Sequence, residues 1–169
     1  MKNAEAKSKF LQAWGNLGTS WGLNKTMAKV YALLLITKEP MSVEAIREEL
    51  HISTGNASTN LRGLIDWGLV DRVDVPGERK EFFTCEKDIW AMARQVAKER
   101  KKREIDPLVK VLKEVKHLSD IETENDKEFQ KAVSALEGTL TVANKILDTF
   151  IASEANWILR LASNVVDKK

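Results

Sequence analysis

A mainly α-helical fold with one small β hairpin is predicted by three features of the sequence. Apolar residues recur at helical spacing along most of its 169 residues. Two of the early helical patterns are separated by a very short turn, and a pair of β-prone runs flanks a Pro-Gly dipeptide. With 43% apolar residues the chain is long enough for a compact domain plus an appendage.

The first helix is expected over about residues 5–20, where Phe10, Leu11, Trp14 and Leu17 share a face. Trp21-Gly22-Leu23 breaks it. Asn24 is an N-cap residue for a second, mostly buried helix carrying Met27, Val30, Tyr31, Leu34 and Leu35, which must stop before Pro40. Ser42 then caps the short helix VEAIREEL, whose Val43, Ile46 and Leu50 point inward.

After a tight His51-Ile52 turn, Ser53 caps the next helix, and Ile52 and Ala57 are placed as a hydrophobic staple. On this helix Ala57, Leu61, Leu64 and Ile65 form an apolar stripe. Gly55, Asn56, Thr59 and Gly63 occupy the opposite face, with Asn60, Arg62 and Asp66 to either side. The helix therefore begins with a thin, polar surface and ends at Gly68, where a left-handed residue suits the C-terminus.

LVDRVDV and KEFFTCE follow as two strands, with Pro76-Gly77 in the central positions of a type II turn and Arg79 and Lys80 near the tip. Helix, turn, helix, hairpin is the order of a winged helix, in which one helix enters the major groove and the hairpin tip reaches the flanking backbone or minor groove.

From Asp88 the chain reads as helical through Trp90, Met92 and Val96, ending in the charge run KERKKRE before Pro107. Residues 98–116 carry a basic excess, whereas SDIETENDKE reverses the sign and reads as a linker. A long helical pattern then runs from about Phe129 through Leu136, Leu140, Ile146, Leu147, Phe150, Ile151, Trp157, Ile158, Leu161 and Val165. Helices this apolar need a partner surface, which a homodimer provides. The expected organisation is a winged helix-turn-helix domain with its N-terminal helix over residues 1–105, and a helical dimerisation region over 106–169.

Composition bounds the function. Lys and Arg total 27 against 25 Asp and Glu, a net charge of +2, so nucleic-acid binding must rest on local patches. Cys85 is the sole cysteine, which excludes an internal disulfide or a thiolate zinc site and fits a reducing cytoplasm. The start, MKNAEAKSKF, lacks the apolar core of a signal peptide, and no run approaches the ~18–20 apolar residues of a membrane span.

An enzyme is disfavoured. His51 and His117 are the only histidines, they fall in different elements, and Cys85 sits in a strand, so no nucleophile and base pair is evident. Glu122, Glu124 and Asp126 lack the glycine and spacing of a calcium loop. No cofactor or metal is implied.

Gly55-Asn56-x-Ser58-x-x-Leu61-Arg62-x-Leu64-x-x-Trp67-Gly68-Leu69-Val70, followed by Val75-Pro76-Gly77-Glu78-Arg79-Lys80-x-Phe82-Phe83, resembles the GbsR-type branch of the MarR-like winged-helix transcription regulators. Trp21-Gly22-Leu23 and the stretch from Leu33 to Ser42 match the pattern too. The resemblance covers roughly residues 20–90. It implies a homodimeric, sequence-specific DNA-binding regulator, often a repressor, in a branch whose founding members respond to choline-like compounds. Two residues depart from it: Thr54 stands where a basic residue is frequent and Asn24 where proline is common. Across residues 58–80, Arg62, Arg72, Arg79 and Lys80 are balanced by Asp66, Asp71, Asp74 and Glu78.

On this reading Asn56, Thr59 and Asn60 contact base edges, since Asn can bridge adenine N6 and N7. Ser53, Thr54, Ser58 and Arg62 serve the phosphates with the helix N-terminus. Arg79 and Lys80 hold the wing to the flanking backbone. The 98–103 basic run is more simply a solvated helix face. Trp14, Trp21 and Trp90 lie near the junction with the flanking helices, where aromatic rings can cage a quaternary ammonium effector by cation–π attraction. The plainer reading puts them in the core. A winged helix can also serve as a protein-docking adaptor without touching DNA.

Overall fold

The computed structural model describes residues 3–116 and 123–153. They contain two compact units, Met1–Val96 and Ala97–Lys169.

The first unit opens with α1 (Asn3–Ser20), α2 (Lys25–Ile36), a two-residue strand β1 (Met41–Ser42), α3 (Val43–Leu50) and α4 (Thr54–Asp66). Strands β2 (Val70–Val73) and β3 (Phe82–Cys85) follow, and α5 (Ile89–Arg100) crosses the division between the units. Side-chain caps start the helices as the sequence demands. Met27 N donates to Asn24 Oδ1 at 2.8 Å, Ala45 N to Ser42 Oγ at 3.2 Å and Asn56 N to Ser53 Oγ at 3.2 Å.

Three helices end in the same way. Within two residues of each end the chain turns left-handed, at Gly22 (φ 83°), His51 (φ 53°) and Gly68 (φ 66°). The next amide then reaches back five residues: Leu23 to Gly18, Ile52 to Arg47 and Leu69 to Leu64. These closures satisfy carbonyls that the helix leaves open and fix the direction of the exiting chain.

The core is α2, whose Met27, Ala28, Val30, Tyr31, Ala32, Leu33 and Leu34 are all buried. Ile46 of α3, Ala57, Leu61 and Leu64 of α4, Val70 of β2 and Phe83 of β3 pack into the same cluster. Each of the Val, Leu, Ile, Met and Phe side chains among them contributes roughly 1.5–3 kcal/mol by leaving water. Lys87 clips the far end of α2 by donating to the carbonyl oxygens of Leu34, Leu35 and Thr37. Its charge lies where the helix dipole is negative.

The wing is a three-stranded antiparallel sheet in the order β1-β3-β2. Asp71 pairs with Thr84 and Arg72 with Phe83, while Met41 pairs with Phe83 from the other side. The strand at Met41–Ser42 was not expected, because two residues between a proline and a helix, the second of them the helix cap itself, carry no alternation to read. The Pro76-Gly77 turn forms as expected: Glu78 N donates to Val75 O at 3.0 Å and Gly77 takes φ 86°.

The second unit corrects two expectations. The helix expected to end before Pro107 instead widens into a π turn, Lys101–Ile105, and continues as α6 (Asp106–Val115). Proline has no amide hydrogen for the carbonyl four residues back. The backbone answers by looping out one extra residue, so that the amide of Asp106 bonds the carbonyl of Lys101. Residues 124–128 of the expected linker are helical: α7 runs Glu124–Ala152 and starts at a reciprocal capping box between Thr123 and Asp126. Val109 and Leu112 of α6 and Val133 of α7 are buried, whereas Phe129, Leu136, Val142 and Ile146 stand exposed along α7, Ile146 by 66%. His117, Glu122, Trp157, Ile158, Leu161 and Val165 lie outside the described residues.

Candidate nucleic-acid interface

The turn from α3 to α4 is closed by backbone and side chain alike, so α4 leaves α3 in a fixed direction. Its first turns present Ser53, Thr54, Gly55, Asn56 and Thr59 to solvent, with Arg62 one turn on and Ser58 half-buried. A β-carbon built at Gly55 would meet nothing within 4 Å. The fold therefore does not require glycine there.

Asn60 departs from the expected face. It is only 5% exposed, because it stands three residues after Ala57 and one before Leu61, inside the i, i+3, i+4, i+7 stripe that α4 buries. Its polar side chain disguised a core position. Asn60 Nδ2 donates to the Asn56 carbonyl oxygen at 2.8 Å and to Asn56 Oδ1 at 2.6 Å, while its own Oδ1 is buried with no partner. Asn60 thus faces inward and holds Asn56 from behind. Gly63, expected on the open face, is half-buried beside Met27.

Between α4 and the wing lies a groove of about 310 Å³, lined by Ser58, Leu61, Arg62, Ile65, Arg72 and Glu81, among others. Arg72, absent from the expected set, brings a second guanidinium to the groove that holds Arg62, and is paired with Glu81 at 2.7 Å. Alternation along β2 places Arg72 on the same face as the buried Val70, toward α4, and that signal was available in the sequence. Arg79 and Lys80 are exposed in the wing loop. Glu44, at the start of α3, is held below the usual carboxylate range, first by its own backbone amide, then by the Ser42 hydroxyl and by the charge of Lys80.

The basic run of residues 98–103 is largely engaged within the second unit. Arg100 pairs with Glu104 at 2.8 Å, Arg103 with Glu99 at 3.1 Å, and Lys101 with Asp106 at 3.0 Å and Asp148 at 3.3 Å. Of the three tryptophans considered for a cage, Trp14 and Trp21 meet edge to face with ring centroids 5.8 Å apart, and Phe10 adjoins Trp14 at 5.5 Å. Trp90 is exposed at the start of α5 and takes part in neither ring contact. Both partners of the edge-to-face pair pack against the core.

Burial pushes the Cys85 thiol up, away from thiolate reactivity. His51 is an exposed turn residue. Among the described residues no group of three or more His, Cys, Asp or Glu is placed to hold a metal ion, and no helix is long and apolar enough to cross a membrane.

A two-helix turn followed by a wing hairpin, with a polar helix face beside the wing, defines a winged helix-turn-helix protein. Residues 21–81 match the MarR family. Over 83 residues it is 30% identical to the HTH-type transcriptional regulator MmpR5 of Mycobacterium tuberculosis (strain ATCC 25618 / H37Rv), covering 48% of this chain and 50% of that protein. Over 150 residues it is 26% identical to the HTH-type transcriptional repressor GbsR of Bacillus subtilis (strain 168), covering 86% of this chain and 77% of that one. This second likeness agrees with the pattern of residues 55–83. A crystal structure described as a transcriptional regulator shares the fold, with TM-score 0.55 and 22% identity over 85% of this chain and 99% of that one.

Proposed function

We propose that the protein is a homodimeric, sequence-specific DNA-binding transcription regulator acting as a repressor. The observation that carries this reading is the α4 surface: a capped helix start whose exposed side chains are short hydroxyls and amides, beside a wing bearing Arg72, Arg79 and Lys80. Such a helix can approach base edges closely, with Asn56 and Thr59 at the bases and Ser53, Thr54, Ser58 and Arg62 at the phosphates. Kinship with regulators named for transcription and repression supports the same reading. The exposed apolar residues of α7 support self-association. Two recognition helices related by a two-fold axis read a palindrome with half-sites ~34 Å apart.

Selecting DNA fragments with the purified protein and sequencing them tests the reading. A palindromic consensus whose binding falls steeply with salt is the expected result. A protein that retains no DNA at low salt is instead a winged-helix docking adaptor, and a monomer in light scattering at micromolar concentration removes the two-fold arrangement. A choline-like effector is part of the proposal and rests on Trp14 and Trp21. Unchanged tryptophan fluorescence on adding choline or glycine betaine removes it.

A further inference from the structure

We infer that Asn60 is a positioning residue that sets the polarity of the Asn56 carboxamide and thereby makes α4 select adenine at one position of its site. The inference rests on the DNA-binding reading above and concerns a residue that itself never meets DNA.

An exposed asparagine ordinarily rotates freely, and its amide can present either end to a base. Asn56 is different. Both hydrogens of the Asn60 amide nitrogen are committed to Asn56, one to the backbone carbonyl oxygen at 2.8 Å and one to Oδ1 at 2.6 Å. The donor comes from a residue only 5% exposed, so water competes weakly for it. Turning the Asn60 amide over would set its oxygen against two other oxygens. Turning the Asn56 amide over would set two NH₂ groups face to face. Only one orientation of the pair is consistent.

The consequence at the surface is directional. Asn56 Oδ1 keeps one lone pair beyond that used by Asn60, and Asn56 Nδ2 keeps both its hydrogens. An acceptor beside a donor matches the adenine major-groove edge, which offers the N6 hydrogen and the N7 lone pair. Guanine offers two acceptors, O6 and N7, and leaves Oδ1 opposed to O6. The unpartnered Asn60 Oδ1 fits this account, because leucine, of similar size, would leave no such orphan and the site nevertheless has asparagine.

The test uses the full-length protein and its selected duplex, with each adenine of a half-site changed in turn to guanine. For the native protein one such change weakens binding about tenfold or more. Asn60→Leu, checked for folding by circular dichroism, is expected to bind the selected duplex more weakly and to lose that adenine-over-guanine preference, with binding to a scrambled duplex unchanged. Asn56→Asp alters only an exposed side chain, keeps the acceptor for Asn60 and loses the outward donor; it is expected to shift preference toward cytosine, whose N4 donates. Undiminished adenine preference in Asn60→Leu, or a native protein that discriminates adenine from guanine nowhere, overturns the inference while leaving DNA binding standing. Should Asn60→Leu not fold, an Asn56→Asp variant that still prefers adenine overturns it alone. Absence of all DNA binding by the native protein is a failure of the parent reading and takes the inference with it.

Discussion

Replacing Gly55 separates what the fold needs from what the surface is for. Gly55 is the second residue of α4, its φ is not positive, and a β-carbon there meets no atom within 4 Å. Alanine in a helix interior gains up to ~1 kcal/mol over glycine, and a first-turn position about half of that. Gly55→Ala and Gly55→Leu should therefore raise stability by roughly 0.5 kcal/mol in urea denaturation, with no steric term to oppose it. DNA binding should move the other way. A leucine at this position stands between the helix backbone and the groove floor, and losing one bidentate base contact is worth ~1–3 kcal/mol, about tenfold or more in affinity. Fluorescence anisotropy with the selected duplex, at fixed salt, reads this directly. A more stable Gly55→Leu protein that binds the duplex as tightly as the native one would refute the idea that the thin face lies against bases.

Other outcomes follow from packing and charge. Gly18→Ala should lose about 1–2 kcal/mol by urea denaturation, since its β-carbon would lie 2.3 Å from Ala28 Cβ and overpacking outweighs the helix gain, whereas Gly138→Ala, with nothing within 4 Å, should gain up to ~1 kcal/mol. Lys87→Met should cost about 1–2 kcal/mol, because three carbonyl oxygens at the end of α2 lose a common donor that is partly screened by solvent; an unchanged midpoint would show the clip to be idle. Hydrogen bonds from Lys101, and less so from Asn144, hold the Asp106 carboxyl below its usual range. That group therefore adds stability above the ordinary aspartate range and loses it as pH falls through the lowered value. In an NMR titration Lys101→Met should return the Asp106 transition toward the ordinary aspartate value.

Much of the fold was legible because its signals were local. Asn24, Ser42 and Ser53 cap because each places an oxygen beside a helix that starts immediately after it, and Gly68 and Gly77 take the backbone angles for which glycine is suited. What escaped was of two kinds. The Met41–Ser42 strand exists only because Phe83 and Phe82 lie beside it, a long-range pairing with no local trace. The start of α7 did have a trace, Thr123 with Asp126 three residues on, but the acidic stretch around it resembled a linker. On α4, Asn60 was read by its chemistry when its position in the stripe decided its place. Arg72 was passed over because its strand is acidic, although the groove it lines is shared with Arg62.

The π turn at Lys101–Ile105 changes the frame in which the rest of that helix must be read. Each residue of an α-helix advances the surface by ~100°, so one looped-out residue turns everything downstream by about that angle. Val109 and Leu112 are buried in the shifted frame, and an uninterrupted helix of the same sequence would swing them away from α7. Deleting a single residue among 101–105 would thus let the helix close into regular α geometry with Val109 and Leu112 still facing α7, whereas the same deletion in the regular turns of α6 ahead of them would act like a frameshift written in angle instead of codons.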